Sequence, residues 1–155
     1  MIRLRFVTCN DAISYMIRAA EDFWASHVEA VMPDGSGYLG AHADGGVAIR
    51  PVGYDKATLM RELFVELPAT TVQTVAFYDE LKQHIGQPYD FEAILGFVTR
   101  SEMHSKKHKI CSALQAGALN KSWFSAPLCR PTYEISPADL MLILSAQIAI
   151  PGGTK

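Results

Sequence analysis

The run KHKICSALQAGAL, Lys107 to Leu119, sets a thiol where a basic, polar stretch gives way to small and apolar residues. A thiol becomes a nucleophile when its thiolate is favoured, and the start of a helix with cationic groups nearby favours it. Cys111 has that setting if a helix begins at or near it. A base must accompany the sulfur, and His27 is the most suggestive histidine. It lies on a short strand-like run with Glu29 two residues on, and residues i and i+2 of a strand share a face. The Glu29 carboxylate would then orient the imidazole and favour its protonated form. Such groups meet in space rather than along the chain, so their separation in sequence carries no information.

The same residues have plainer uses. A cysteine at the head of an alanine-rich helix is commonly a small packed side chain, and a histidine on a sheet is commonly only hydrogen-bonded. Metal is a third use: His104, His108 and Cys111 fall at i, i+4 and i+7, which on a continuous helix puts two imidazoles and a thiolate on one face. Ser101, Ser105 and the Lys106, Lys107, Lys109 cluster favour a polar loop there instead, and no second Cys/His pair completes a four-ligand site. Metal is therefore the weaker reading of these residues. Cys9, at a strand end, and Cys129, in a proline-flanked loop, have no helix following them and read as incidental.

The elements that must position these groups follow from periodicity. Ile2, Leu4 and Phe6 alternate with Arg3 and Arg5, the period of a strand with one wet face. Asn10 or Asp11 can cap a helix with apolar positions Ile13, Met16, Ile17 and Ala20. Val28, Ala30 and Met32 alternate with His27, Glu29 and Val31 up to the turn Pro33-Asp34-Gly35-Ser36-Gly37, after which Tyr38 to Ala41 returns as the partner strand. Gly45-Gly46 precedes a strand over Val47 to Pro51, and Glu62 to Leu67 reads as another. From Thr70 the spacing becomes helical and stops at Gly86 and Pro88. Asp90 caps a short helix through Phe97, Cys111 opens one to about Leu119, and Ser136-Pro137 starts the last, to about Ala146.

Bulk properties bound the function. A chain of 155 residues, 49% apolar and 19% charged, buries a real core and has the size of one domain, taken as 1–150 with 151–155 a loose tail. A net charge of -2 leaves no broad basic surface, so nucleic acid is not an expected partner. Leu140 to Ile150 is apolar but about half the roughly 20 residues of a membrane span, so no span is expected. The opening residues lack the apolar stretch of a secretory signal, so the expectation is a cytoplasmic protein as synthesised. Three cysteines make no disulfide framework.

Three stretches in order, WASHVEAVMPDGSGYLGAHADGGVAIRP, LKQHIGQPYDFEAILGF and KICSALQAGAL, resemble the permuted branch of the NlpC-type papain-like cysteine peptidases. That branch includes YiiX-like proteins and is related to lecithin retinol acyltransferase. In it the histidine strand precedes the cysteine helix, as here. The resemblance covers most of Ser26 to Leu119, and the Ser136-Pro137 segment is similar to the closing helix of such proteins. It implies an α+β, circularly permuted papain-like fold, with a central antiparallel sheet packed against helices and the cysteine at a helix N-terminus. Cys111 matches the family's nucleophile and His27 its base. Tyr89 matches a tyrosine near the cysteine whose hydroxyl could hold substrate or the oxyanion. Ordinary members place a polar third residue on the strand after the histidine strand, and here that position falls on Gly40, which cannot orient an imidazole. Glu29 is the favoured substitute; His42 reaching in, or a dyad, are the others. The implied activity is thiol hydrolysis of an amide, for instance in peptidoglycan stem peptides, through an acyl-enzyme. The same scaffold also serves lipid esterases and acyltransferases, and a noncatalytic phage-associated or cell-envelope binding protein could keep the fold without the chemistry.

Overall fold

Five antiparallel strands and four helices make an α+β architecture in the computed structural model, which describes residues 1–89, 110–122 and 132–148. The strands are β1 (Ile2–Cys9), β2 (His27–Val31), β3 (Gly37–His42), β4 (Gly46–Pro51) and β5 (Leu59–Leu67). They lie in the order β4-β3-β2-β1-β5, so β1 and β2 run through the middle of the sheet. The helices are α1 (Ala12–Glu21), α2 (Thr71–Lys82), α3 (Cys111–Ser122) and α4 (Pro137–Ile148). The expected helix from Asp90 and the tail from Pro151 lie outside the described residues.

Local chemistry sets the boundaries. Of the two candidate caps for α1 it is Asp11 that acts, its carboxylate accepting the Ser14 N–H at 2.8 Å. Thr70 and Gln73 form a reciprocal capping box at the start of α2, which stops at Lys82, a turn earlier than the periodicity suggests. Ser136 caps α4, its hydroxyl accepting the Asp139 N–H at 3.0 Å. β5 begins three residues before the expected Glu62, because Leu59 and its successors continue to pair with β1 out to Cys9.

Register divides the sheet into two unlike faces. Leu4 lies opposite Ala30 and Phe6 opposite Val28, while Ala30 lies opposite Leu39 across the next pair. These residues share one continuous core with Phe77 and Leu81 of α2 and Leu114 and Ala118 of α3. The other face carries Arg5 opposite Glu29. A wet face was expected here, and only Arg3 is wet: Arg5 is 1% exposed. The reason is three carboxylates around one guanidinium, described below, which let a charge go under cover.

One glycine positions a later segment. At Gly46, with φ of +71°, a Cβ would collide with the Gln87 carbonyl. Its absence lets Gly86 and Gln87 bond the edge strand β4 through Gly86 N–H to Val47 O and Val47 N–H to Gln87 O, both 2.9 Å. The chain thereby arrives at Tyr89 beside the head of α3.

Candidate active site

Cys111 is the first residue of α3, whose opening backbone bond runs from Leu114 N–H to Ile110 O at 3.0 Å. His27 is the first residue of β2. The structure brings the two together: the Cys111 thiol and the His27 imidazole are each other's main electrostatic partner. The thiol is 3% exposed and sits at one end of a narrow apolar cleft lined by Ile17, Ser26, Tyr89, Ile110 and Pro137.

Burial alone would raise the thiol pKa. The positive charge of His27 outweighs it and holds Cys111 below the ordinary thiol range. Burial likewise pulls the imidazole down, and here the Cys111 thiolate and then the Glu29 carboxylate more than reverse it, leaving His27 raised. Each shift favours the charged form of its group, and each charge is the other's main support.

Behind the ring, His27 Nε2 lies 3.4 Å from Glu29 Oε2. With Nε2 turned to the carboxylate, Nδ1 is the nitrogen left for the sulfur. Glu29 is fully buried and is itself held from several sides. Arg5 Nη1 donates to its Oε1 at 2.7 Å, and the Tyr54 hydroxyl donates to Oε2 at 3.1 Å. Arg5 also donates to Glu62 at 2.7 Å, pairs with Asp55 at 3.0 Å and stacks over the Tyr38 ring at 4.4 Å. Burial would push the Glu29 carboxyl up, and His27 and Arg5 together hold it below its ordinary range.

Gly40 explains why the acid comes from the histidine's own strand. A Cβ built there would stand 2.9 Å from Glu29 Cβ, 3.4 Å from His42 Nε2 and 3.5 Å from His27 Nε2. The space a third residue would occupy from β3 is the space Glu29 fills from β2. His42, two residues along β3, also reaches this point: its Nε2 is 3.5 Å from Glu29 Oε2, and its ring lies 4.8 Å from that of His27. Burial, His27 and Arg50 press the His42 pKa down to about 2, so this second imidazole is neutral.

The Glu29 position relative to His27 follows from the two-residue strand period and was legible. Arg5, Asp55 and Tyr54 were not: Arg5 read as a solvent-facing member of an alternating strand, and Tyr54 and Asp55 sit in a turn-rich segment with no periodic signal. Cys9 is half-buried with its thiol pushed up by burial, opposite to Cys111. Tyr89 is buried in the cleft wall beside Cys111. His104, His108 and Cys129 lie outside the described residues.

The five-stranded antiparallel sheet with its packed helices is a YiiX-like fold. The chain matches the crystal structure of the metalloprotein yiiX from Escherichia coli O157:H7, a DUF1105 protein. The TM-score is 0.61 and the identity 18%, over 86% of this chain and 77% of that one. No protein-family model and no curated protein matches the chain. Among the described residues no helix is long and apolar enough to cross a membrane.

Proposed function

We propose that this chain is a thiol hydrolase with a permuted papain-like fold, cutting amide bonds through an acyl-enzyme. The observation that carries the reading is Cys111 at the head of α3 in electrostatic contact with the His27 imidazole, whose Nε2 lies 3.4 Å from Glu29 Oε2. In the mechanism, the Cys111 thiolate attacks the substrate carbonyl carbon, forming a C–S bond and an oxyanion. Backbone N–H groups at the first turn of α3 would stabilise that oxyanion, with the Tyr89 hydroxyl as a second donor. His27 gives its proton to the leaving amine as the C–N bond breaks. Water then enters, His27 takes one of its protons, hydroxide adds to the thioester, and the carboxylic acid leaves as the thiolate reforms. Glu29 holds the ring in the tautomer that keeps Nδ1 toward sulfur. No cofactor is needed for these steps.

Peptide amides are the substrate class this reading favours, with peptidoglycan stem peptides first, because the resembled superfamily chiefly cuts them. Alkylation by iodoacetamide across a pH series tests the activated thiol. Cys111 is expected to react at pH values below the ordinary thiol range, roughly pH 8.5, while Cys9 lags. Equal and slow reaction of all three cysteines would overturn the reading. Muropeptide digestion by the wild type but not by Cys111→Ala tests the substrate class separately.

A further inference from the structure

The carboxylate that faces His27 is met by two histidines rather than one, which is more than orientation of a base requires. One donor atom from each of His27, Glu29 and His42 lies within 4.8 Å of the others, and the Nε2 atoms of the two histidines stand 3.4 and 3.5 Å from Glu29 Oε2. Both nitrogens are buried, and although each faces Glu29 Oε2 neither closes a hydrogen bond of normal geometry. Leaving two such atoms without a partner is costly, and each orphan calls for an explanation. His42 is only 7% exposed, and its orphaned nitrogen points at the same carboxylate oxygen.

The spacing supplies the explanation. A tetrahedral zinc ion bonded to nitrogen and oxygen at about 2.0 to 2.2 Å holds neighbouring donor atoms roughly 3.3 Å apart. The two nitrogen-to-oxygen separations here are 3.4 and 3.5 Å. Two imidazole nitrogens and one carboxylate oxygen are the donors that zinc-class cations prefer over calcium or magnesium. Outside them stands the support a metal site needs: Arg5 fixes the other carboxylate oxygen at 2.7 Å, and the Tyr54 hydroxyl lies 3.1 Å from the ligating one. Gly40 keeps the space clear, since a Cβ there would clash with Glu29 Cβ at 2.9 Å and touch the Nε2 atoms of both histidines.

We propose that His27, Glu29 and His42 form a binding site for a zinc-class divalent cation, and that filling it silences Cys111. The silencing half rests on the hydrolase reading; the binding half does not. On binding, His27 Nε2 loses its proton to water and gives its lone pair to the metal, which leaves the ring neutral with its remaining proton on Nδ1. Handing that proton to a leaving amine would then create an imidazolate, and accepting a second proton there is impossible. The same ring cannot be a metal ligand through one nitrogen and a proton shuttle through the other. The site is therefore an off-switch that acts from behind the base, without touching sulfur.

The test titrates the full chain with zinc against a chromophoric competing chelator and with cobalt by absorption. The wild type and Cys111→Ser are expected to take up one equivalent with similar affinity. The cobalt spectrum should show a low-symmetry site without a thiolate charge-transfer band, and His42→Gln should bind on the order of 100-fold more weakly. In the wild type, which needs no substitution, zinc should shift the ring 15N signals of His27 and His42 at Nε2 and leave His84 unmoved. Zinc inhibition of turnover, reversed by a chelator, should weaken by the same factor in His42→Gln. Loss of binding in Cys111→Ser, a charge-transfer band, unshifted His42 signals, or a His42→Gln variant that binds like the wild type would each overturn the proposal. Binding at the predicted ligands in a protein with no turnover would leave the metal site standing and remove the hydrolase reading alone.

Discussion

The two faces of this sheet are buried by opposite means. On one, Leu4, Phe6, Val28, Ala30 and Leu39 are fully covered by apolar neighbours from the helices. On the other, Arg5 and Glu29 are just as deeply buried but are satisfied by a network of charges and hydroxyls that includes Asp55, Glu62 and Tyr54. Apolar burial is non-directional and tolerates change in proportion to the area lost. A buried ionic network is directional: it fixes where each atom points, and its removal in part leaves a charge with nothing opposite it. The first kind of face joins the sheet to the helices, and the second fixes the Glu29 carboxylate beside the His27 ring.

The largest expected effect separates these uses. His27→Ala should lower turnover by on the order of 10³-fold or more while changing the unfolding free energy little, since the ring is at a strand end and partly exposed. Leu4→Ala, one strand away on the apolar face, should cost about 2–5 kcal/mol of stability and leave turnover per folded molecule unchanged. Denaturant melts paired with activity normalised to the folded fraction check both. A Leu4→Ala protein that stays folded but inactive would break the distinction between the faces.

Next comes Arg5→Met, which removes the guanidinium and strands Glu29 and Asp55 in a buried space. A loss of about 3–5 kcal/mol is expected. Its pH dependence has a definite sign. Glu29 has a folded pKa below its unfolded value, so its stabilisation is present above the unfolded value and lost as pH falls through the folded one. Arg5 is one source of that depression, so the gap between wild type and Arg5→Met should narrow as the solution becomes acid. A gap that is constant with pH would mean that Arg5 acts through packing against Tyr38 rather than through charge.

Smaller again is Glu29→Gln, which keeps the shape and loses the charge. Turnover should fall on the order of 100-fold. In the wild type, activity should rise below the ordinary thiol range, because Cys111 is lowered, and persist above the ordinary imidazole range, because His27 is raised. Glu29 contributes to the second shift after Cys111, so the alkaline limb of the pH–rate profile should move to lower pH in the variant. Coincident alkaline limbs would assign orientation of the ring to something other than Glu29.

The comparison of faces also says what the sequence could disclose. Strand alternation placed His27 and Glu29 together because period 2 is a local property of the chain, and the head of the cysteine helix was legible from the change in composition at Lys109. The apolar face was readable for the same reason. The polar face was not, because its members come from β1, β2, β3, β5 and the turn after β4, and nothing local tells Arg5, buried, from Arg3, exposed. A charge is hidden only when its partners arrive from elsewhere, and periodicity has no access to partners. Gly40 shows the limit from the other side: in sequence it is a missing functional group, and in the fold it is the vacancy that Glu29 requires.

That reading of Gly40 yields the smallest and most specific expected effect. A methyl group at Gly40 meets Glu29 Cβ at 2.9 Å, closer than real Cβ atoms approach, and stands 3.4 and 3.5 Å from the Nε2 atoms of His42 and His27. Backbone φ is not at issue, because Gly40 is not among the glycines with positive φ. Gly40→Ala should therefore cost about 1–3 kcal/mol of stability through overpacking. Its turnover should drop less than that of Glu29→Gln, since the carboxylate is displaced rather than removed. Pairing it with Glu29→Ala distinguishes crowding from any other role. If the glycine is there to make room for Glu29, the stability cost of Gly40→Ala should shrink in the Glu29→Ala background, giving a coupling well above the roughly 0.5 kcal/mol expected of independent sites. Additive losses would mean that Gly40 serves the strand rather than the acid, and the exchange of a third residue between β3 and β2 would have to be abandoned.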